Sequence, residues 1–173
     1  MDIKSMIRTI PNFPKEGIMF RDVTTLLKNP IGFNYVIDQF VKRYKNENFD
    51  YVVGIESRGF ILGGAIAHKL NKGFIPIRKP GKLPSNVDSI EYELEYGIDK
   101  LEIHLDALKE GDRVILIDDL LATGGTAKAS TELIEKRGAK LVEFGCVVEL
   151  PDLNGRDKLN GHSIYKLVDF EGE

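Results

Sequence analysis

The 173-residue chain holds one cysteine, Cys146, so an intramolecular disulfide is excluded. Its place in the apolar run GCVVEL reads as a buried free thiol in a reducing compartment. No stretch approaches the roughly 20 apolar residues that a membrane span needs. The N-terminal MDIKSMIRTIPNF is interrupted by charges before a signal-peptide core can form. The expectation is a cytoplasmic protein with no membrane partner. Positive charge is not in excess either: 24 Lys and Arg stand against 27 Asp and Glu, a formal net charge of −3. That balance leaves no global footprint for nucleic acid, although Arg78, Lys79 and Lys82 form a local basic stretch. The three histidines, His68, His104 and His162, stand at no metal-ligand spacing to one another. Thr123 has no evident base partner, which argues against a covalent nucleophile. What is present is ordinary: 42% hydrophobic and 29% charged residues, enough for a single domain over 1–173 with its own core.

Strand and helix signals alternate along that domain. Asn29-Pro30 supplies a cap and a first-turn proline, and Phe33, Val36, Ile37, Phe40, Val41 and Tyr44 recur at helical spacing over about 30–45. Tyr51 to Ile55 is a short apolar strand without alternation, which a strand covered on both faces shows. A helix bearing Leu62, Ile66 and Leu70 follows, then a strand from Phe74 to Ile77. The most apolar strand, Val114 to Ile117, precedes a helix with Ala127, Ser130, Leu133 and Ile134 on one face, stopped at Lys136-Arg137-Gly138. Leu141 to Leu150 and Ser163 to Val168 read as further strands. This order predicts an α/β fold, a mostly parallel sheet flanked by helices. Lys82 to Leu105 fits that plan poorly; its alternation predicts a flexible hairpin, either a lid or an interaction arm.

In open parallel sheets, ligands bind beyond the carboxyl ends of the strands. Three loops leave strands at that edge. In the first, Asp118 and Asp119 end an apolar run and are followed by Ala122, Thr123, Gly124, Gly125 and Thr126. Glycine N–H groups and a helix start make a cradle for a phosphate. Two acids just before it suit a sugar diol, provided the strand has ended at Ile117, because adjacent residues of a regular strand face opposite ways. Neither common nucleotide-binding glycine pattern is matched. The second loop, Glu56-Ser57-Arg58-Gly59, offers Ser57 and Arg58 to a second anion, and the third supplies Arg78, Lys79 and Lys82 as cations. A phosphate, a diol and a more highly charged phosphate group add up to 5-phosphoribosyl-1-pyrophosphate (PRPP).

On those residues the chain resembles the type I phosphoribosyltransferases. IPNFPKEGIMFRDVTTLL, VVGIESRGFILG, IPIRKPGKLP, YELEYG and IDDLLATGGTAKAS together are similar to the adenine-specific members, over about residues 5–170. The resemblance implies transfer of phosphoribose from PRPP to adenine, giving AMP and pyrophosphate, with Mg2+ carried mainly by PRPP and water rather than by direct protein ligands. It implies a hood built from about 1–30 and part of 148–173, with a lid over about 82–105. It implies that Ala122 to Thr126 take the 5′-phosphate, Asp118 and Asp119 the diol, and Ser57, Arg58, Lys79 and Lys82 the pyrophosphate. Arg78 would reach into the site of the partner in a homodimer. Met19, Phe20, Arg21 and Leu150 would hold the base, and Glu95 would act on adenine N7. A non-proline cis peptide at Glu56–Ser57 is also implied. Two alternatives remain at this point: a phosphoribosyltransferase for another base, or a PRPP-sensing regulator of nucleic acid, which the acidic balance and the lack of spare length argue against.

Overall fold

Successive side chains of the central strands point to opposite faces, and two cores follow from it. The computed structural model describes residues 1–94 and 97–172. Among them, five strands form one parallel sheet in the order β4-β3-β7-β8-β9. These are β3 (Tyr51–Ile55), β4 (Gly73–Ile77), β7 (Arg113–Leu121), β8 (Lys140–Glu149) and β9 (Ile164–Asp169). Val52, Ile115 and Ile117 point into a core shared with Val36, Ile37 and Phe40 of α2 (Pro30–Tyr44) and Leu62 and Ile66 of α3 (Arg58–Lys69). Val53, Val114 and Leu116 point into a second core with Leu133 and Ile134 of α4 (Gly125–Lys136). A strand buried on both faces has no polar side to show, which is why these segments read as unbroken apolar runs.

The helix expected over about 30–45 runs from Pro30 to Tyr44, and the Asn29 side chain accepts hydrogen bonds from the N–H groups of Ile31 and Gly32 at 3.0 and 3.1 Å. Cys146 is fully buried in β8 as a free thiol, and burial pushes its ionisation well up. Among the described residues, no helix is long and apolar enough to cross a membrane.

The strand expected at Val114 to Ile117 continues to Leu121, so Asp118 and Asp119 lie inside β7 rather than after it. The reason lies in its neighbours. β3 pairs with β7 only as far as Gly54 opposite Ile117, whereas β8 accompanies β7 to Leu121 opposite Glu149. Beyond Ile117, one flank of β7 is therefore open. The sheet order also reverses between β3 and β7, which makes the crevice at their carboxyl ends the place where a ligand is expected.

Two antiparallel pairs stand apart from the sheet. β1 (Arg8–Pro11) and β2 (Met19–Asp22) form an N-terminal ribbon that periodicity had not indicated, followed by the short α1 (Thr24–Lys28). At its root, hydrogen bonds from Thr24 lower the Asp22 carboxyl to about 2, assisted by Arg8. The C-terminal segment meets this ribbon: Lys4 and Arg21 both stack on the ring of Phe170. The hairpin expected within 82–105 is present as β5 (Val87–Leu94) and β6 (Gly97–His104). It is tied to the rest by Lys136 and Arg137 of the α4 end, both paired with Asp88, and by backbone bonds between Arg78 and Glu102.

Candidate active site at the ends of β3 and β7

A cavity of about 230 Å³ opens where β3 stops and β7 continues. Ile55, Glu56, Arg58, Lys79, Asp118, Asp119 and all five residues from Ala122 to Thr126 line it. Elements far apart in sequence thus place three acids, two cations and a glycine loop around one volume. Because β3 has ended, both carboxylates of β7 reach the cavity although the strand itself has not ended; the expected convergence is present with a different cause.

The loop from Ala122 to Gly124 turns directly into α4. Gly124 precedes the helix at φ +84°, and no side chain caps it. The N–H groups of the first helical turn, which have no intrahelical acceptor, lie at the cavity wall together with the positive end of the helix dipole. Backbone donors arranged in this way suit an anion.

The acids behave differently from each other. Asp119 is buried and forms an ion pair with the Arg58 guanidinium. Asp118 is half-buried and folds back so that one carboxylate oxygen accepts the N–H of Asp119 at 2.8 Å. Burial, and then the neighbouring Asp119 charge, push the Asp118 carboxyl well above its ordinary range. Arg58 opens α3, just after the Glu56–Ser57 peptide, which is cis. Ser57 sits at the helix entry, makes no capping bond with its side chain, and does not line the cavity.

The third loop is held by acids that the sequence reading had not singled out. Glu56, partly buried just after β3, receives Lys82 at 2.8 Å and the backbone N–H of Lys79, with Arg78 at 3.6 Å. Burial alone would raise the Glu56 carboxyl; the Lys82 and Lys79 contacts outweigh it and the group is lowered. Lys82 and Arg78 therefore flank the cavity without lining it, and Arg78 stacks over Phe60. Lys79 does line it. Its ammonium pairs with Asp99 of the hairpin and approaches the Tyr92 hydroxyl, which lies 3.3 Å from the Thr126 hydroxyl. The signal for Glu56 was its place after β3, equivalent to that of Asp118 in β7. For Asp99 and Tyr92 nothing local distinguishes them from the other acids and tyrosines of the hairpin.

None of the residues expected to hold a base lines this cavity. Met19, Phe20 and Arg21 belong to β2, with Phe20 edge-on to Phe13 and Arg21 bonded to Thr9. Leu150 is buried just after β8, its N–H donating to the carbonyl of Leu121 at 2.9 Å. Glu95 falls outside the described residues. Among the described residues, no three His, Cys, Asp or Glu side chains come together as a metal cage. The acidic residues among those that line the cavity are Asp118, Asp119 and Glu56.

Comparison with known proteins agrees with this geometry. The phosphoribosyl transferase domain matches residues 22–169. The adenine phosphoribosyltransferase of Chlorobium limicola is 59% identical over 177 residues, covering 100% of both chains. Among solved structures, the adenine phosphoribosyltransferase of Thermoanaerobacter pseudethanolicus superposes with a TM-score of 0.95 at 50% identity, covering 98% of each chain. That of Saccharomyces cerevisiae, solved with an imino-altritol bisphosphate and adenine, gives a TM-score of 0.90 at 42% identity, covering 96% of this chain and 97% of its own. The backbone donors at the start of α4, the paired acids before them and this full-length likeness lead to one conclusion: the chain belongs to the phosphoribosyl transferase family, among its adenine phosphoribosyltransferases.

Proposed function

We propose that this enzyme moves the 5-phosphoribosyl group of PRPP onto N9 of adenine, releasing AMP and pyrophosphate as a step of purine salvage. The observation that carries the reading is the meeting of Asp118, Asp119, Arg58 and Lys79 around the glycine loop in one cavity. The 5′-phosphate sits on the N–H groups at the start of α4, with Thr123 and Thr126 hydroxyls beside it. Asp118 and Asp119 accept the ribose hydroxyls and lie close to C1, where positive charge develops as the pyrophosphate bond breaks. Arg58 and Lys79 take the leaving pyrophosphate, exchanging their present carboxylate partners, Asp119 and Asp99, for phosphate oxygens. Ser57 and Lys82 complete that anion site.

The carboxylates of Asp118, Asp119 and Glu56 fit a cavity that would admit Mg2+ held mainly by PRPP and water, and the ion would there supply neutralisation of the leaving group. The base lies under a hood made by β2 and the chain around Leu150, between Phe20 and Leu150, with Met19 and Arg21 main-chain groups at its edge. The β5–β6 hairpin is the lid. Arg78, which does not line the cavity of its own chain, serves the site of a second copy in a homodimer. The cytoplasm, where free adenine and PRPP are both available, is the setting.

A product assay with PRPP and Mg2+, offering adenine, hypoxanthine, guanine, xanthine and orotate in parallel, tests the whole. Nucleotide from adenine alone is expected. Preference for another base would overturn the base site and keep the phosphate site; PRPP binding without product would replace the enzyme by a sensor. Within the same assay, Glu95→Gln is expected to lower kcat by about tenfold or more, the range of a lost proton donor. An unchanged kcat would remove Glu95 from the chemistry.

A further inference from the structure

The glycine loop is braced from behind by a segment to which the site above assigns nothing. After β8 the chain passes through Asn154, in the left-handed region at φ +52°, into a short 3-10 stretch, Gly155–Leu159. Gly155 is buried against the loop. A Cβ on Gly155 would lie 2.3 Å from the carbonyl oxygen of Ala122 and 3.1 Å from the nitrogen of Gly124. The contact is reciprocal, because a Cβ on Gly124 would lie 2.4 Å from the carbonyl oxygen of Gly155. Two backbones therefore touch with no side chain between them, which only a pair of glycines permits.

The brace cannot retreat. Arg156, the next residue, forms two bonds to the buried Glu149 at the end of β8, Nε to Oε1 at 2.6 Å and the guanidinium to Oε2 at 2.9 Å. Leu159, at the other end of the stretch, is 2% exposed in the core shared with α4. Glu149 is itself opposite Leu121 in the register of β7 and β8, one residue before the loop begins. One rigid unit thus fixes the loop from its entry at Leu121 and from its back at Gly124.

We infer that Gly155 is a positioning residue for the PRPP 5′-phosphate: it sets the height and tilt of the Ala122–Gly124 backbone, and Arg156 holds Gly155 in place through Glu149. This rests on reading the loop as the phosphate seat. A methyl group at 155 pushes that backbone toward the cavity, so the N–H groups no longer converge on one phosphate. Arg58 and Lys79, carried by α3 and the end of β4, are untouched by the push.

The test compares ribose 5-phosphate and pyrophosphate, each titrated by calorimetry into wild type, Gly155→Ala and Arg156→Gln, with melting temperatures alongside. In Gly155→Ala the Kd for ribose 5-phosphate is expected to rise about tenfold or more, while that for pyrophosphate stays within about twofold. Arg156→Gln is expected to move in the same direction by less. Unchanged ribose 5-phosphate binding, or an equal loss for both ligands, overturns the brace. If Gly155→Ala does not fold, the selectivity of Arg156→Gln decides on the same terms. Failure of wild type to bind ribose 5-phosphate at all is a different result, because it overturns the phosphate seat itself.

Discussion

Asp118→Asn is expected to make the free protein more stable and nearly inactive at once. The carboxyl of Asp118 is pushed well above its ordinary range by burial and by the charge of Asp119. The native state therefore holds that proton more tightly than the unfolded chain does, and stability is lost as pH rises above about 4, where the unfolded carboxyl ionises. Asparagine keeps the shape, and its side-chain oxygen still accepts the Asp119 N–H, but it carries no charge to bury. The melting temperature of the variant should exceed that of wild type by a few degrees at pH 7, and the gain should shrink toward pH 4. Over the same range kcat/KM for PRPP should fall by about a hundredfold or more, the size of losing one group aimed at developing charge. A melting temperature lower than wild type at pH 7 would show that the Asp118 carboxyl is not strained in the fold, and near-normal kinetics would remove it from the diol site.

Arg58→Met should lose activity with the opposite sign in stability. Arg58 is the cation paired with the buried Asp119, and methionine keeps most of the stem while removing that charge. Asp119 is then left beside Asp118 without a partner, and an uncompensated buried carboxylate is costly. The melting temperature should fall, and pyrophosphate and PRPP should bind about tenfold or more weakly, as loss of hydrogen bonds from a charged group implies. Adding Asp119→Asn to Arg58→Met removes the orphaned charge, so the double variant should regain most of the lost melting temperature and none of the activity. If the double variant melts no higher than Arg58→Met, the pair is not what holds this corner together.

Taken together, the two substitutions describe a site in which the Asp118 charge opposes the fold while the Arg58–Asp119 pair supports it when no substrate is present. Asp99 on Lys79, Glu56 on Lys82 and Asp119 on Arg58 are each a carboxylate standing where a phosphate oxygen is proposed to stand. Such internal pairs keep the cations compensated in the free enzyme.

Much of this was legible in the order of residues. Unbroken apolar runs at Tyr51 to Ile55 and Val114 to Ile117 can only be strands covered on both faces, and the Asn29-Pro30 start with its 3.6-residue pattern can only be α2. The strand-to-helix turn from β7 into α4 was legible too, because adjacent glycines at such a turn are local chemistry. The N-terminal ribbon was not: Arg8 to Pro11 and Met19 to Asp22 are four residues each, too short for a period to declare itself.

The sequence by itself determined the layers, the loops at the carboxyl edge and the chemical kind of each group in them, since periodicity and residue type are local properties. Tertiary structure alone decided how the groups combine. It let β7 run on past the end of β3, so that both acids face one cavity. It brought Asp99 and Tyr92 to Lys79, and seated Gly155 against Gly124. Each of these depends on where a neighbouring backbone stops or approaches, and no pattern within a single segment carries that distance.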